Sequence, residues 1–109
     1  MSSGDDLVFK ALADSRRRDI LDMLRERPCT TGEVCDRFVQ TLDRCTVMQH
    51  IAVLERAELI IAHRVGRRRW NHLNAGPFKD IYDRWISPYA DGAIDLLARL
   101  KRDLERGEA

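Results

Sequence analysis

The sequence predicts a mainly α domain carrying one small β-hairpin, in the order α-α-α-α-β-β-α-α. Three observations predict it. Apolar residues recur at helical spacing over residues 6–26 and again over 43–59. The texture then turns β-branched in "ELIIAHRV", passes a Gly66-Arg67 turn and resumes in "RRWNHL". Helical spacing returns after Pro77. At 109 residues the chain reads as a single domain, 1–109, with one modest core, and 44% hydrophobic content excludes a disordered chain.

Each element has a local cause. "DLVFKALAD" (6–14) sets Leu7, Val8, Ala11 and Leu12 at helical spacing. Asp14 or Ser15 caps the next helix, which turns Ile20, Leu21 and Leu24 to one face and stops at Pro28. Thr30 or Thr31 opens a short third helix through Phe38, and Thr30 with Glu33 has capping-box spacing. In "DRCTVMQHIAVLERAEL" (43–59), Val47, Ile51, Leu54 and Glu58 fall within about 60° of one another at 100° per residue. Cys45, Gln49, Ala52 and Arg56 fall opposite, free to touch something, and Glu58 can curl off the end. Pro77 opens another helix with Phe78, Ile81 and Trp85 at i, i+3 and i+7. After Ser87-Pro88 a last helix spaces Ala93, Leu97, Leu100 and Leu104 in the 4-3-4 pattern of a helix–helix seam.

Charge is segregated although the net charge is only +1. Residues 1–42 carry seven basic and eight acidic side chains, and residues 74–109 carry six and seven. Residues 43–73 carry six and three, and residues 59–73 hold four arginines and no acid. One basic third in a near-neutral chain points to a polyanion-binding face. No apolar run reaches the roughly 18 residues of a membrane span, and the acidic start "MSSGDDLVF" is unlike a signal peptide. A soluble, cytoplasmic protein without membrane partners is expected. Three cysteines, an odd count, argue against a disulfide framework.

Three helices and a hairpin make a winged helix-turn-helix if the third and fourth helices pack at an angle. The fourth would then enter a DNA major groove, where Arg44, Thr46 and Gln49 supply donors. Arg64, Arg67, Arg68 and Arg69 at the wing would reach phosphates or the minor groove. The last-helix seam would pair with its twin, placing two recognition helices about 34 Å apart over an inverted repeat. Arg16, Arg17 and Arg18 either touch phosphates or pair with Asp14, Asp19 or Asp22 on a solvated face. Trp70, Phe78, Tyr82 and Trp85 belong to the core or pack around the dimer seam, and His63 and His72 read as hairpin residues.

At these residues the chain resembles the ArsR-type (ArsR/SmtB) winged-helix repressors of bacteria. "VFKALADSRRRDILDML" is similar to that family's opening "F-x-A-L-A-D-x-x-R-R-x-I-L", and "TVMQHIAVLERAELI" to its recognition-helix run. "RVGRRRWNHLNAGPF" is similar to its wing, and "IYDRWISPY" to a branch that lacks the usual metal ligands and is often autoregulatory. The resemblance covers roughly residues 7–86. It implies a homodimeric, sequence-specific repressor. Arg44, Cys45, Thr46, Met48, Gln49 and His50 would read or orient on bases, and Leu7, Phe9, Trp85, Ala93, Leu97, Leu100 and Leu104 would serve dimerisation, mainly from terminal helices over about 77–106. Met48 stands where the family usually has serine, and Glu58 where it has a helix-ending glycine.

Two other functions are weighed. The same fold could be gated by metal or oxidant through Cys29, Cys35 and Cys45, because the family's arsenical and cadmium sensors keep a C-x-C pair on the third helix. Here that pair reads Glu33-Val34-Cys35, and the last helix has no histidine, so no metal or cofactor is expected. A winged-helix adaptor that binds protein rather than DNA is the other. An enzyme is not expected: no Ser/His/Asp, paired-carboxylate or phosphate-loop pattern occurs.

Overall fold

A computed structural model of the chain describes residues 3–107, without the side chains of Ser3 and Asp91. Helix α1 spans Ser3–Leu12 and α2 spans Ser15–Glu26; a short strand β1 (Cys29–Thr30) precedes α3 (Thr31–Arg37) and α4 (Arg44–Arg56). Strands β2 (Ile60–Val65) and β3 (Arg68–Leu73) form the wing, and α5 (Gly76–Ile81) follows. A π-helical turn at Tyr82–Ile86 leads into α6 (Ser87–Glu105). The mainly α architecture with a hairpin wing is the expected one.

Two details differ from expectation. Strand β1 makes the hairpin a three-stranded antiparallel sheet, in the order β1-β3-β2, pairing Cys29 with Asn71 and Thr30 with Trp70. Two residues are too few to show a period of two, so no sequence pattern announces this strand. The last helix does open at Ser87-Pro88, but a π turn over Tyr82–Ile86 interrupts the helix expected to carry Phe78, Ile81 and Trp85. Pro88 sits in the first turn of α6, where its missing N–H has no helical partner to lose, and the wide π turn carries the backbone into it.

The chain divides into two compact units, one ending at Pro77 and the other beginning at Phe78. The first has the core. Val8 and Ala11 of α1, Ile20, Leu21 and Leu24 of α2, and Val34 of α3 are buried, together with Val47, Ile51 and Leu54 of α4 and Ile60 of β2. All but Val34 and Ile60 are periodic positions read from sequence, whereas Leu7 and Leu12, read with them on α1, stay exposed and half-buried. A large aliphatic chain is worth about 1.5–3 kcal/mol when buried. In the second unit the apolar residues of α6 stay exposed, among them Tyr89, Ile94, Leu96, Leu97, Leu100 and Leu104.

Gly66 closes the hairpin with Arg67. Its φ of 62° lies in the left-handed region, as the turn between Val65 and Arg68 requires.

Candidate nucleic-acid interface

The site is assembled by helix caps. The Thr30 hydroxyl accepts from the Glu33 N–H at 3.1 Å, and the Glu33 carboxylate accepts from the Thr30 N–H at 3.0 Å, closing the capping box on α3. Arg27 donates to Glu33 as well, which with the Thr30 donors holds that carboxyl down at about 2. At α4 the Asp43 carboxylate accepts from the Thr46 N–H at 2.7 Å, and this bond lowers its pKa. The Thr30 cap fixes where α3 begins, and the Asp43 cap fixes where the turn between α3 and α4 ends.

From that start α4 divides cleanly. Val47, His50, Ile51 and Leu54 are buried, whereas Arg44, Cys45, Met48 and Gln49 are exposed and Thr46 is half-buried. Five of the six expected recognition residues therefore keep an accessible surface. His50 is the exception, only 8% exposed and turned inward.

Between the helix pair and the wing lies a cleft of about 650 Å³. Arg44 and Met48 line it from α4, Arg64, Arg67, Arg68 and Arg69 from the wing, and residues 30–33 with Asp36 from the α3 side. With Arg27, six arginines face two carboxylates, Glu33 and Asp36. Among the described residues no carboxylate pairs with Arg44, Arg64, Arg67 or Arg68. Arg69 differs from the other wing arginines. Its guanidinium donates to Glu55 of α4, so the expected acid-free wing gains one acid from another element, and the pair ties wing to helix.

A second tie lies deeper. Asn71 of β3 is fully buried and donates to the Cys29 carbonyl and the Thr31 hydroxyl, both at 3.2 Å, fastening the wing to β1 and α3. Its one-residue signal, a polar side chain in a strand, is too weak to find in sequence.

Arg16, Arg17 and Arg18 are used inside the fold. Arg16 chelates the Asp14 carboxylate at 3.0 and 3.2 Å and holds it well below the usual carboxylate range. Arg17 Nε donates to the Ala11 carbonyl at 2.8 Å and Nη2 to the Lys10 carbonyl at 3.0 Å; Arg18 donates to the Leu12 carbonyl at 2.6 Å. The two side chains thus satisfy the last carbonyls of α1, which no helical N–H can reach.

The three free cysteines lie at different depths: Cys29 buried, Cys35 half-buried, Cys45 exposed on α4. Burial raises the Cys29 pKa and keeps its thiol protonated. Among the described residues no three His, Cys, Asp or Glu side chains converge as a metal would need.

A helix-turn-helix domain family model matches residues 12–62. The chain is 38% identical over 91 residues to YuzN, an uncharacterized HTH-type transcriptional regulator of Bacillus subtilis (strain 168), across 79% of this chain and 99% of that protein. It is 34% identical over 89 residues to the transcriptional repressor SdpR of the same organism, across 82% of this chain and 97% of that one. The crystal structure of an ArsR family transcriptional regulator superposes with a TM-score of 0.69 at 30% identity, across 79% of this chain and 86% of that one. The chain belongs to the ArsR family. A homodimeric winged helix-turn-helix DNA-binding domain from Mycobacterium bovis also superposes, with a TM-score of 0.60 at 25% identity, across 88% of this chain and 83% of that one.

Within the ArsR pattern, the two departures now have places. Met48 is 44% exposed and lines the cleft among arginines, an apolar patch on a cationic floor. Glu58 takes a left-handed φ of 62°, the conformation a glycine would supply. The expected dimerisation residues Leu7, Phe9, Trp85, Ala93, Leu97, Leu100 and Leu104 are all exposed. Sequence spacing missed Tyr89, which extends the same stripe of α6 upstream, and Ile86, exposed in the π turn before it.

Proposed function

We propose that this ArsR-family protein is a DNA-binding transcriptional repressor that acts as a homodimer on an inverted-repeat operator. The observation that carries this reading is the cleft in which the exposed face of α4 meets unpaired wing arginines. Arg44, Cys45, Thr46, Met48 and Gln49 sit where an α4 laid in a major groove meets base edges, and Met48 can touch a thymine methyl. Arg64, Arg67 and Arg68 supply the phosphate or minor-groove contacts, while Arg69 steadies the wing through Glu55. Supporting repression, SdpR is a transcriptional repressor.

Dimerisation rests on α6. Tyr89, Ala93, Leu97, Leu100 and Leu104 fall within about 80° of one another at 100° per residue. A 19-residue helix with such a stripe in water is an interaction surface, and a second copy is self-complementary to it.

The test is DNA binding to the protein's own upstream region across a salt series. The logarithm of the affinity should fall linearly with the logarithm of salt, and Arg67→Ala with Arg68→Ala should flatten that slope by about 2. Affinity independent of salt and unmoved by these changes would instead favour a protein-binding adaptor.

A further inference from the structure

His50 lies on the inner side of α4, and its surroundings are unusual for an aliphatic position. Its Nδ1 is 3.2 Å from Arg17 Nη1. A guanidinium has no acceptor, so Nδ1 accepts and the ring proton sits on Nε2, which is buried without a partner among the described residues. The same guanidinium donates to two carbonyls of the α1 C-terminus, and its side chain is only 14% exposed. Three helices meet at one planar fork: α1 through its last turn, α2 through Arg17 and α4 through His50.

We propose that Arg17 is a positioning residue for DNA recognition, its guanidinium clamping His50 and the end of α1 so that α4 is held at one setting on the fold. The proposal rests on the DNA-binding reading and deepens it. A planar fork suits the role because its donors leave in fixed directions, so three acceptors from two elements are held at once. Lysine, a point charge on a flexible stem, cannot reproduce it.

The clamp needs a neutral imidazole. Protonation would turn the Nδ1 acceptor into a donor facing another donor and set two cations together. The charged groups around His50 are Asp14, Arg16 and Arg17, and burial lowers its pKa first, Arg16 and Arg17 lower it further, and Asp14 opposes them. The clamp is therefore complete above the ordinary histidine range and opens as pH falls below it.

The experiment measures affinity for the upstream operator and for unrelated DNA at pH 8 and at lower pH. The proteins are the wild type, Arg17→Met, His50→Leu and His50→Asn, with thermal unfolding of each as the control for folding. Asparagine places an oxygen near the position of Nδ1 and does not titrate. At pH 8, Arg17→Met and His50→Leu should weaken operator binding about tenfold, the scale of one lost charged hydrogen bond. His50→Asn should stay within about twofold of wild type and should lose less affinity on acidification. Binding of His50→Leu to unrelated DNA, governed by phosphate charge, should barely change. If Arg17→Met unfolds, His50→Leu carries the test with its apolar volume kept. Operator binding by His50→Leu equal to wild type, or one pH profile shared by wild type and His50→Asn, overturns the clamp alone. Wild-type protein that binds no DNA overturns the repressor reading, and the positioning role falls with it.

Discussion

Glu58 stands one residue beyond Ala57, the C-cap of α4, in the left-handed conformation. The bonds around it form a Schellman motif: the Leu59 N–H reaches the Leu54 carbonyl at 3.0 Å, and the Glu58 N–H reaches Glu55 at 2.9 Å. Leu54 and Leu59, both fully buried, supply the motif's apolar contact. The backbone therefore demands the turn whatever residue occupies it. A non-glycine residue there costs about 1–2 kcal/mol, while glycine adds about 0.5–1 kcal/mol of chain entropy to lose. Glu58→Gly should accordingly stabilise the protein by about 0.5–1 kcal/mol, raising Tm by a few degrees. A lowered Tm in calorimetry would show that the Glu58 side chain contributes something the strain does not outweigh. Sequence marked this position as a departure from its family; only the backbone angle shows that glutamate accepts the conformation instead of avoiding it.

At the scale of elements, the wing is held to α4 by Glu55 and Arg69. Reading residues 59–73 alone leaves four arginines without an acid, because the partner lies on a helix outside that segment. Each member of the pair is about one-third exposed, so screening keeps its contribution to global stability below about 1 kcal/mol. Its effect should be local. Glu55→Gln should leave Tm nearly unchanged yet speed amide exchange in β2 and β3, with α6 as an internal reference. Unchanged exchange in the wing would mean that the strand pairing and Asn71 hold it without the strut. The helix caps contrast with this. Thr30 with Glu33, and Asp14 before α2, were readable in sequence because donor and acceptor are two or three residues apart.

At the scale of the molecule, α6 displays more apolar surface than a lone helix keeps in water. The 4-3-4 spacing of Ala93, Leu97, Leu100 and Leu104 anticipated this face, and Tyr89 lengthens it. If a second copy covers it, Leu97→Glu with Leu100→Glu should give monomers in sedimentation equilibrium. It should also abolish any dependence of Tm on protein concentration. The core described above lies in the unit ending at Pro77, so these changes should leave the helix-turn-helix folded. Dimers that survive both glutamates would place the interface elsewhere.

Sequence by itself determined the main helices, the wing and its turn, and the segregation of charge, and it narrowed the caps of α2 and α3 to a pair of neighbours each. All of these depend on residues within one or two turns of each other, where spacing along the chain is spacing in space. Tertiary structure alone decided which charged groups are spent inside the fold. Arg17 finds His50 across 33 positions, Arg69 finds Glu55 across 14, and Asn71 reaches the Cys29 carbonyl across 42. No periodicity encodes such pairings, because they follow from how packed elements cross. They also sort the basic residues: Arg17 and Arg69 brace the fold, while Arg44, Arg64, Arg67 and Arg68 remain available for a polyanion.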